Sequence, residues 1–203
     1  MLKNDLFSRR YFVNSAVIAG GLALFGRPAF ALTEASARQL VDALVTEINR
    51  VIASGKSESA MIRDFEKIFV RYADVPIMAR YALGVDGRRA SPAQLRKFTK
   101  AFQSYIASKY GRRFREFVGG KVVVKSTRKI NAGYEIRAIA DLQGQSPFEV
   151  TFLVSGKSGK DLFFNMFIEG VNLLLTERTE IGAMLDKRGG NLDRLIADLG
   201  RLG

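Results

Sequence analysis

Among its 203 residues the chain has no histidine, no cysteine and no tryptophan. Without histidine and cysteine there is no Ser–His–Asp or Cys–His nucleophile, no ordinary zinc or haem site and no disulfide. A bacterial lipoprotein anchor is excluded too, because it is built on a lipidated cysteine. An exported chain of this composition is held together by packing alone. Acidic residues are in deficit, 20 against 32 basic ones, for a net charge of +12. Such a surface suits anionic partners (headgroups, nucleic acid or acidic proteins), or it serves solubility alone. What the chain has in surplus is phenylalanine, 15 residues of it.

Residues 1–31 read as a cleaved export signal. Ser8-Arg9-Arg10-Tyr11-Phe12 precedes an apolar run from Ala16 to Phe25, and Ala29-Phe30-Ala31 is a small-x-small cleavage site. The arginine pair, the glycine-containing run and Arg27 before the cleavage site fit a twin-arginine signal. An ordinary secretory signal with two adjacent basic residues is the other reading. The apolar run, roughly 10 to 13 residues, is too short to cross a bilayer core of about 30 Å. The expected compartment is the periplasm. Removing the leader takes Lys3, Arg9, Arg10, Arg27 and Asp5, so the mature chain stays basic. Residues 32–203 are long enough for one domain with a real core.

The first half is helical in pattern. Thr33 caps a helix with Leu40, Leu44, Ile48 and Ile52 on one face, and Gly55 ends it. Ser57 or Ser59 opens a second helix carrying Ile62, Phe65, Ile68, Phe69 and Tyr72. Asp74 caps a third, with Pro76 in its first turn and Ile77, Met78, Tyr81 and Ala82 as its apolar residues, up to Gly84. Val85–Arg89 reads as a polar loop. Ser91-Pro92 opens a long helix with the stripe Leu95, Phe98, Phe102, Tyr105, Ile106 and Tyr110, continued by Phe114 and Phe117 beyond a bend at Gly111.

Four strand-like runs follow: Lys121–Ile130, Tyr134–Leu142, Phe148–Ser155 and Asp161–Ile168. Their short connections imply an antiparallel meander. Alternation in the second and third runs gives the sheet one apolar face for the helices to cover. In the fourth run Leu162, Phe164, Met166 and Ile168 point one way, and Phe163 and Phe167 the other. Val171, Leu174, Leu175 and Arg178 then open a helix, and Asn191 caps a last one with Leu192, Leu195, Ile196 and Leu199. The class is α+β, a four-stranded antiparallel sheet packed against helices. Periodicity leaves open whether the aromatic surplus is ordinary core or the wall of a cavity.

Three segments together carry a family resemblance: Phe65–Gly84 with its Asp74-Val75-Pro76 joint, Ser91-Pro92-Ala93-Gln94, and Ile168-Glu169-Gly170-Val171-Asn172-Leu173. Arg178 and Gly189-Gly190-Asn191-Leu192 follow in the expected order. The chain resembles the MlaC, or toluene-tolerance, family of periplasmic phospholipid-binding proteins over nearly all of its mature length. It departs from the family's usual Gly-Lys-Trp turn, having Gly159-Lys160-Asp161-Leu162, and its loop after Leu83-Gly84 lacks the usual aromatics. The resemblance implies an NTF2-like fold with an internal cavity for acyl chains, a phospholipid as cargo and no cofactor. It also implies two partners, an inner-membrane ABC transporter with a hexameric lipid-binding ring and an outer-membrane lipoprotein–porin complex.

On that footing the expected cavity wall is Phe69, Tyr72, Val75, Met78, Tyr105 and Tyr110 from the helices. The sheet side would add Phe152, Val154, Phe164, Met166, Ile168, Val171 and Leu174. Arg80, Lys109, Arg112 and Arg113 are the cations that could meet a phosphate at the mouth, where a guanidinium suits its geometry. Each is equally a solvated helix residue. No catalytic or metal-binding residue is expected. Two other function classes fit parts of the sequence. One is an NTF2-like enzyme using Asp74, Glu169 and Tyr72 as acid–base groups, or a binder of another hydrophobic ligand such as a hopanoid. The other is nucleic-acid binding through Tyr110–Arg115, which export argues against.

Overall fold

The computed structural model describes residues 32–112, 120–142 and 144–203. The leader, Arg113, Phe114 and Phe117 therefore lie outside the described residues. Seven helices and five strands follow the order α1 (Glu34–Ile52), α2 (Glu58–Tyr72), α3 (Val75–Ala82), α4 (Asp86–Arg89), α5 (Pro92–Gly111), β1 (Lys121–Ile130), β2 (Gly133–Asp141), β3 (Phe148–Ser155), β4 (Leu162–Ile168), β5 (Val171–Asn172), α6 (Leu173–Asp186) and α7 (Leu192–Leu202) among those residues. None of these helices is long and apolar enough to cross a membrane.

The helix starts are set by local chemistry. Thr33 and Ser36 form a reciprocal capping box at α1, and Ser91 and Gln94 form another at α5 with Pro92 behind it. Asp74 accepts the Ile77 N–H at the start of α3. Asn172 and Asn191 accept from Leu175 and Arg194 at α6 and α7. Ser57 stands at the N-cap of α2 without a side-chain hydrogen bond. Val85–Arg89, read as a loop, contains the single turn of α4, with Gly87 buried against Arg80 and Leu83.

The sheet is an antiparallel meander in the order β1-β2-β3-β4-β5. It has five strands where four were expected. The fifth is only Val171–Asn172, too short to read from a pattern, and it returns on Ile168 and Phe167 through the turn Glu169-Gly170. Both turn residues have positive φ, 49° and 79°, which is the geometry a two-residue hairpin demands. The expected faces hold for β2 and β3: Ile136, Ala138, Ala140, Val150, Phe152 and Val154 are all buried.

In β4 they do not hold. Leu153 pairs with Asn165 while Val154 pairs with Phe163, so β4 carries an extra residue there. This bulge turns Phe163 to the inner face beside Met166 and Ile168, and leaves Phe164 out of it. An alternation rule carried across the bulge assigns the two phenylalanines the wrong way round.

Helices α1, α3 and α6 pack on the sheet, α2 and α5 face it across a gap, and α7 packs behind α5. The α2–α3 joint is stitched to the sheet directly. The Asp74 N–H donates to the Phe163 carbonyl at 2.8 Å, and Ala73 bridges Phe163. Ile77 and Tyr81, expected on the apolar face of α3, are exposed, and Tyr81 lies under the Arg178 guanidinium 5.1 Å from its ring centre. The buried side of α3 is Val75, Met78, Ala79 and Ala82.

Candidate functional site

Packing between sheet and helices is incomplete along one line. A cavity of about 160 Å³ remains there. Its floor is the inner sheet face: Val122, Ala140, Phe148, Val150, Phe152, Phe163, Met166 and Ile168. Its roof is Leu44 and Ile48 from α1, Phe65, Ile68 and Phe69 from α2, Met78 from α3, and Phe102, Ile106 and Tyr110 from α5. The start of α6 closes one side with Leu173, Leu174 and Glu177.

One end of this space is aromatic. Phe65 stacks on Phe69 with ring centres 6.3 Å apart, Phe69 tilts against Phe163 at 6.2 Å, and Phe152 meets Phe163 edge-on at 5.7 Å. Offset and edge-to-face contacts are the favoured arrangements for such rings. Four phenylalanines from three elements thus form a continuous wall beneath the α2–α3 joint.

The other end is a polar seam between α5 and α6. Lys109 Nζ donates to Glu177 Oε1 at 2.7 Å and to Glu180 Oε2 at 2.6 Å. The Tyr110 hydroxyl donates to Glu177 Oε1 at 2.6 Å, and the Tyr105 hydroxyl to Glu180 Oε2 at 3.1 Å. The lysine ammonium also sits about as close over both rings, 5.6 Å from Tyr105 and 5.5 Å from Tyr110. Glu177 is only 2% exposed. Its second oxygen, Oε2, has no hydrogen-bond partner among the described residues.

These contacts fix the protonation of the donors. Burial would lower the Lys109 pKa, but its hydrogen bonds to Glu177 and Glu180 outweigh that and raise it. Burial, then the hydrogen bond to Glu177, raises Tyr110. Burial, then the charge of Glu177, pushes Tyr105 up to about 12. At neutral pH the seam therefore holds one ammonium and two neutral phenols. No cluster of acidic side chains able to hold a metal ion occurs among the described residues.

A family model described as MlaC protein matches residues 38–201. The chain belongs to the MlaC family. No curated protein matches it in sequence. Among solved structures it is similar to a phospholipid-binding protein from Ralstonia solanacearum, solved in complex with a phospholipid. That likeness has a TM-score of 0.68 at 20% identity and covers 80% of this chain and 98% of the other. It supports the α+β fold.

Of the wall residues that the MlaC resemblance suggested, Phe69, Met78, Tyr110, Phe152, Met166, Ile168 and Leu174 line the cavity. The other six lie elsewhere. Tyr72 turns its hydroxyl to Glu47 Oε1 at 2.8 Å and ties α2 to α1. Val75 and Val154 are buried in the core away from the cavity. Tyr105 is buried at the seam with its hydroxyl on Glu180. Phe164 is the bulged residue of β4, and Val171 in β5 is exposed.

Arg80 and Arg112 are exposed, and Arg113 lies outside the described residues. Lys109 is engaged by two carboxylates, so it is not a free cation awaiting a phosphate. Thirteen lining residues are absent from that expectation, Phe163 and Glu177 among them. The bulge hid the first. The second was legible, because position 177 falls three residues after Leu174 and four before Ile181, on the buried stripe of α6.

Proposed function

We propose that this MlaC-family protein is a periplasmic phospholipid carrier. The observation that carries the reading is the apolar cavity between helices and sheet, dry in character except for one carboxylate. Burying a methylene is worth about 0.8 kcal/mol, so two acyl chains of roughly 16 carbons are held in a bilayer by about 20 kcal/mol or more. A soluble carrier must replace most of that contact, and a wall of phenylalanine and aliphatic side chains does so without polar specificity. The likeness to a phospholipid-bound structure supports the same reading.

The cavity must widen to hold such cargo. At about 160 Å³ it matches an engineered apolar cavity of about 150 Å³ that takes one benzene ring. The α5–α6 seam is where widening costs least. These two helices scarcely approach each other through their backbones and are joined by long polar side chains. The α2–α3 side is bonded to the sheet by main chain.

In this reading residues 1–31 are a twin-arginine leader, and the carrier passes lipid between an outer-membrane lipoprotein–porin complex and an inner-membrane ABC transporter with its lipid-binding ring. Arg80, Arg112 and Arg113 are the cations offered to headgroup phosphates. The acid–base alternative finds no assembled site. Asp74 is occupied in capping α3, Tyr72 in bonding Glu47, and Glu169 sits in the β4–β5 turn, so none of the three lines the cavity. Native mass spectrometry of the purified mature protein is the test. A bound diacyl phospholipid is expected. A hopanoid in its place would change the cargo, and failure of any lipid to co-purify or to exchange in from vesicles would end the carrier reading.

A further inference from the structure

We propose that the outer side of α3 and the start of α6 form a membrane-docking surface, by which the protein adsorbs reversibly to an anionic bilayer with its cavity beside the lipids. This goes beyond the carrier reading, which requires cargo but no place of contact with a bilayer. It rests on that reading only for the choice of partner.

Clustering is the first observation. Five of the eight large apolar side chains exposed among the described residues are Ile77, Tyr81, Val85, Val171 and Leu175. They lie on two neighbouring stretches, α3 to the start of α4 and β5 to the start of α6. Each is 40–55% exposed. Helices α3 and α6 pack together, and Arg178 joins their outer sides. Its guanidinium lies over the Tyr81 ring and close against Gly84, one turn after Leu175 on α6. Ile77 is one turn before Tyr81 on α3. Scattered exposed hydrophobic residues are ordinary, but a gathered set marks a surface made for contact.

Charge and position then select the partner. Arg80, Arg88, Arg89 and Arg178 are exposed on the same stretches, and none has a carboxylate partner among the described residues. The acidic side chains nearby are fewer. Asp86 and Glu169 lie at the margin, Glu177 is buried, and Glu180 is held by Lys109. Aliphatic and tyrosine side chains set among arginines suit the boundary of an anionic bilayer, where the apolar parts enter and the guanidinium groups reach phosphates. An acidic protein would satisfy the charge as well, and the cavity decides between the two. Each exposed residue here has a neighbour in the cavity wall: Met78 follows Ile77, Leu174 precedes Leu175, and Ile168 pairs with Val171. A bilayer held against this surface is one side chain away from the space that takes its lipid.

The test begins from the absence of tryptophan, which makes Leu175→Trp a single fluorophore on the surface. With phosphatidylglycerol vesicles at low salt its emission should shift to the blue, and lipids brominated on their chains should quench it. Val123→Trp, exposed on β1 at the far edge of the sheet, should do neither. In flotation, wild type should rise with phosphatidylglycerol vesicles, remain in solution with phosphatidylcholine vesicles, and bind less as salt is raised to physiological strength. Arg88→Gln/Arg89→Gln should weaken binding by about fivefold for each arginine lost. Lys125→Gln/Lys129→Gln removes the same charge from exposed positions of β1 and should change it far less. Equal losses in the two double variants, or a tryptophan at 175 that stays in water, would overturn the proposal. So would a wild type that floats with neither vesicle, which would leave the surface to a protein partner. Lipid counted by mass spectrometry in the same preparation reads the carrier separately. Cargo without adsorption overturns the docking surface alone, and adsorption by a protein that never loads lipid overturns the carrier alone.

Discussion

The two ends of the cavity are built on opposite principles. Under the α2–α3 joint four phenylalanine rings meet, and the backbone itself is bonded across, Asp74 to Phe163. At the α5–α6 seam contact is made through the tips of long side chains carrying charge. Apolar contact of the first kind is non-directional and indifferent to pH. Contact of the second kind is directional, exchangeable with water and dependent on protonation. On the carrier reading, the aromatic wall is the one that keeps its shape and the seam the one that yields.

The largest expected effect breaks the fixed end. Phe163→Ala removes the ring shared by Phe69 and Phe152 and should cost about 3–5 kcal/mol. Phe164→Ala, one residue away but bulged off the inner face, should cost less than half as much. Urea denaturation of lipid-free protein measures both. Equal losses would show that the bulge does not sort the two rings, and the comparison between the ends would lose its firmer member.

A middling effect is expected at the seam. Lys109→Met strips the ammonium from Glu177 and Glu180 and should cost about 2–3 kcal/mol, because it leaves a buried carboxylate with one donor. It should also speed lipid exchange with vesicles, which Phe164→Ala should not. The pH dependence has a definite sign. The folded Tyr105 pKa of about 12 lies above its ordinary value of 10.0, and Lys109 and Tyr110 are also raised. Groups raised on folding stabilise fully below their unfolded pKa and lose that contribution as pH climbs through the folded one. Denaturation midpoints should therefore hold from neutral pH to about pH 10 and fall between there and about pH 12. A midpoint that rises over that interval would contradict the seam as drawn.

How much of this was legible in the sequence differs between the two ends. The helix starts were plain, because Thr33, Asp74, Ser91 and Asn191 each act within a few residues of themselves. The β2 and β3 faces were plain because a period of two needs no partner to be read. Phe163 was not, since a bulge is set by pairing with Leu153 and Val154 and leaves no mark in β4 alone. The family resemblance put Tyr72 on the cavity wall, yet its hydroxyl finds Glu47 on another helix. The seam lay deeper still. Lys109 reads as a solvated cation until α6 is folded against it, some seventy positions later, and only then does Glu177 become its partner. Local rules reach as far as the element, and both functional ends are made of contacts between elements.

The smallest effect sharpens that last point. Tyr72→Phe and Tyr110→Phe delete the same atom, a hydroxyl donating to a glutamate, at 2.8 Å and 2.6 Å respectively. Glu47 keeps Arg71, which donates to the same oxygen at 2.6 Å, and its side chain is partly open to water. Tyr72→Phe should then cost only about 0.5–1 kcal/mol and leave bound lipid unchanged. Glu177 is buried from bulk solvent, so the same deletion there should cost about 1.5–3 kcal/mol and alter lipid retention. Thermal melts and lipid counts on the two variants, prepared side by side, decide it. If Tyr72→Phe loses lipid as Tyr110→Phe does, Tyr72 touches cargo after all, and the cavity in its loaded state reaches the Tyr72–Glu47 bond between α2 and α1.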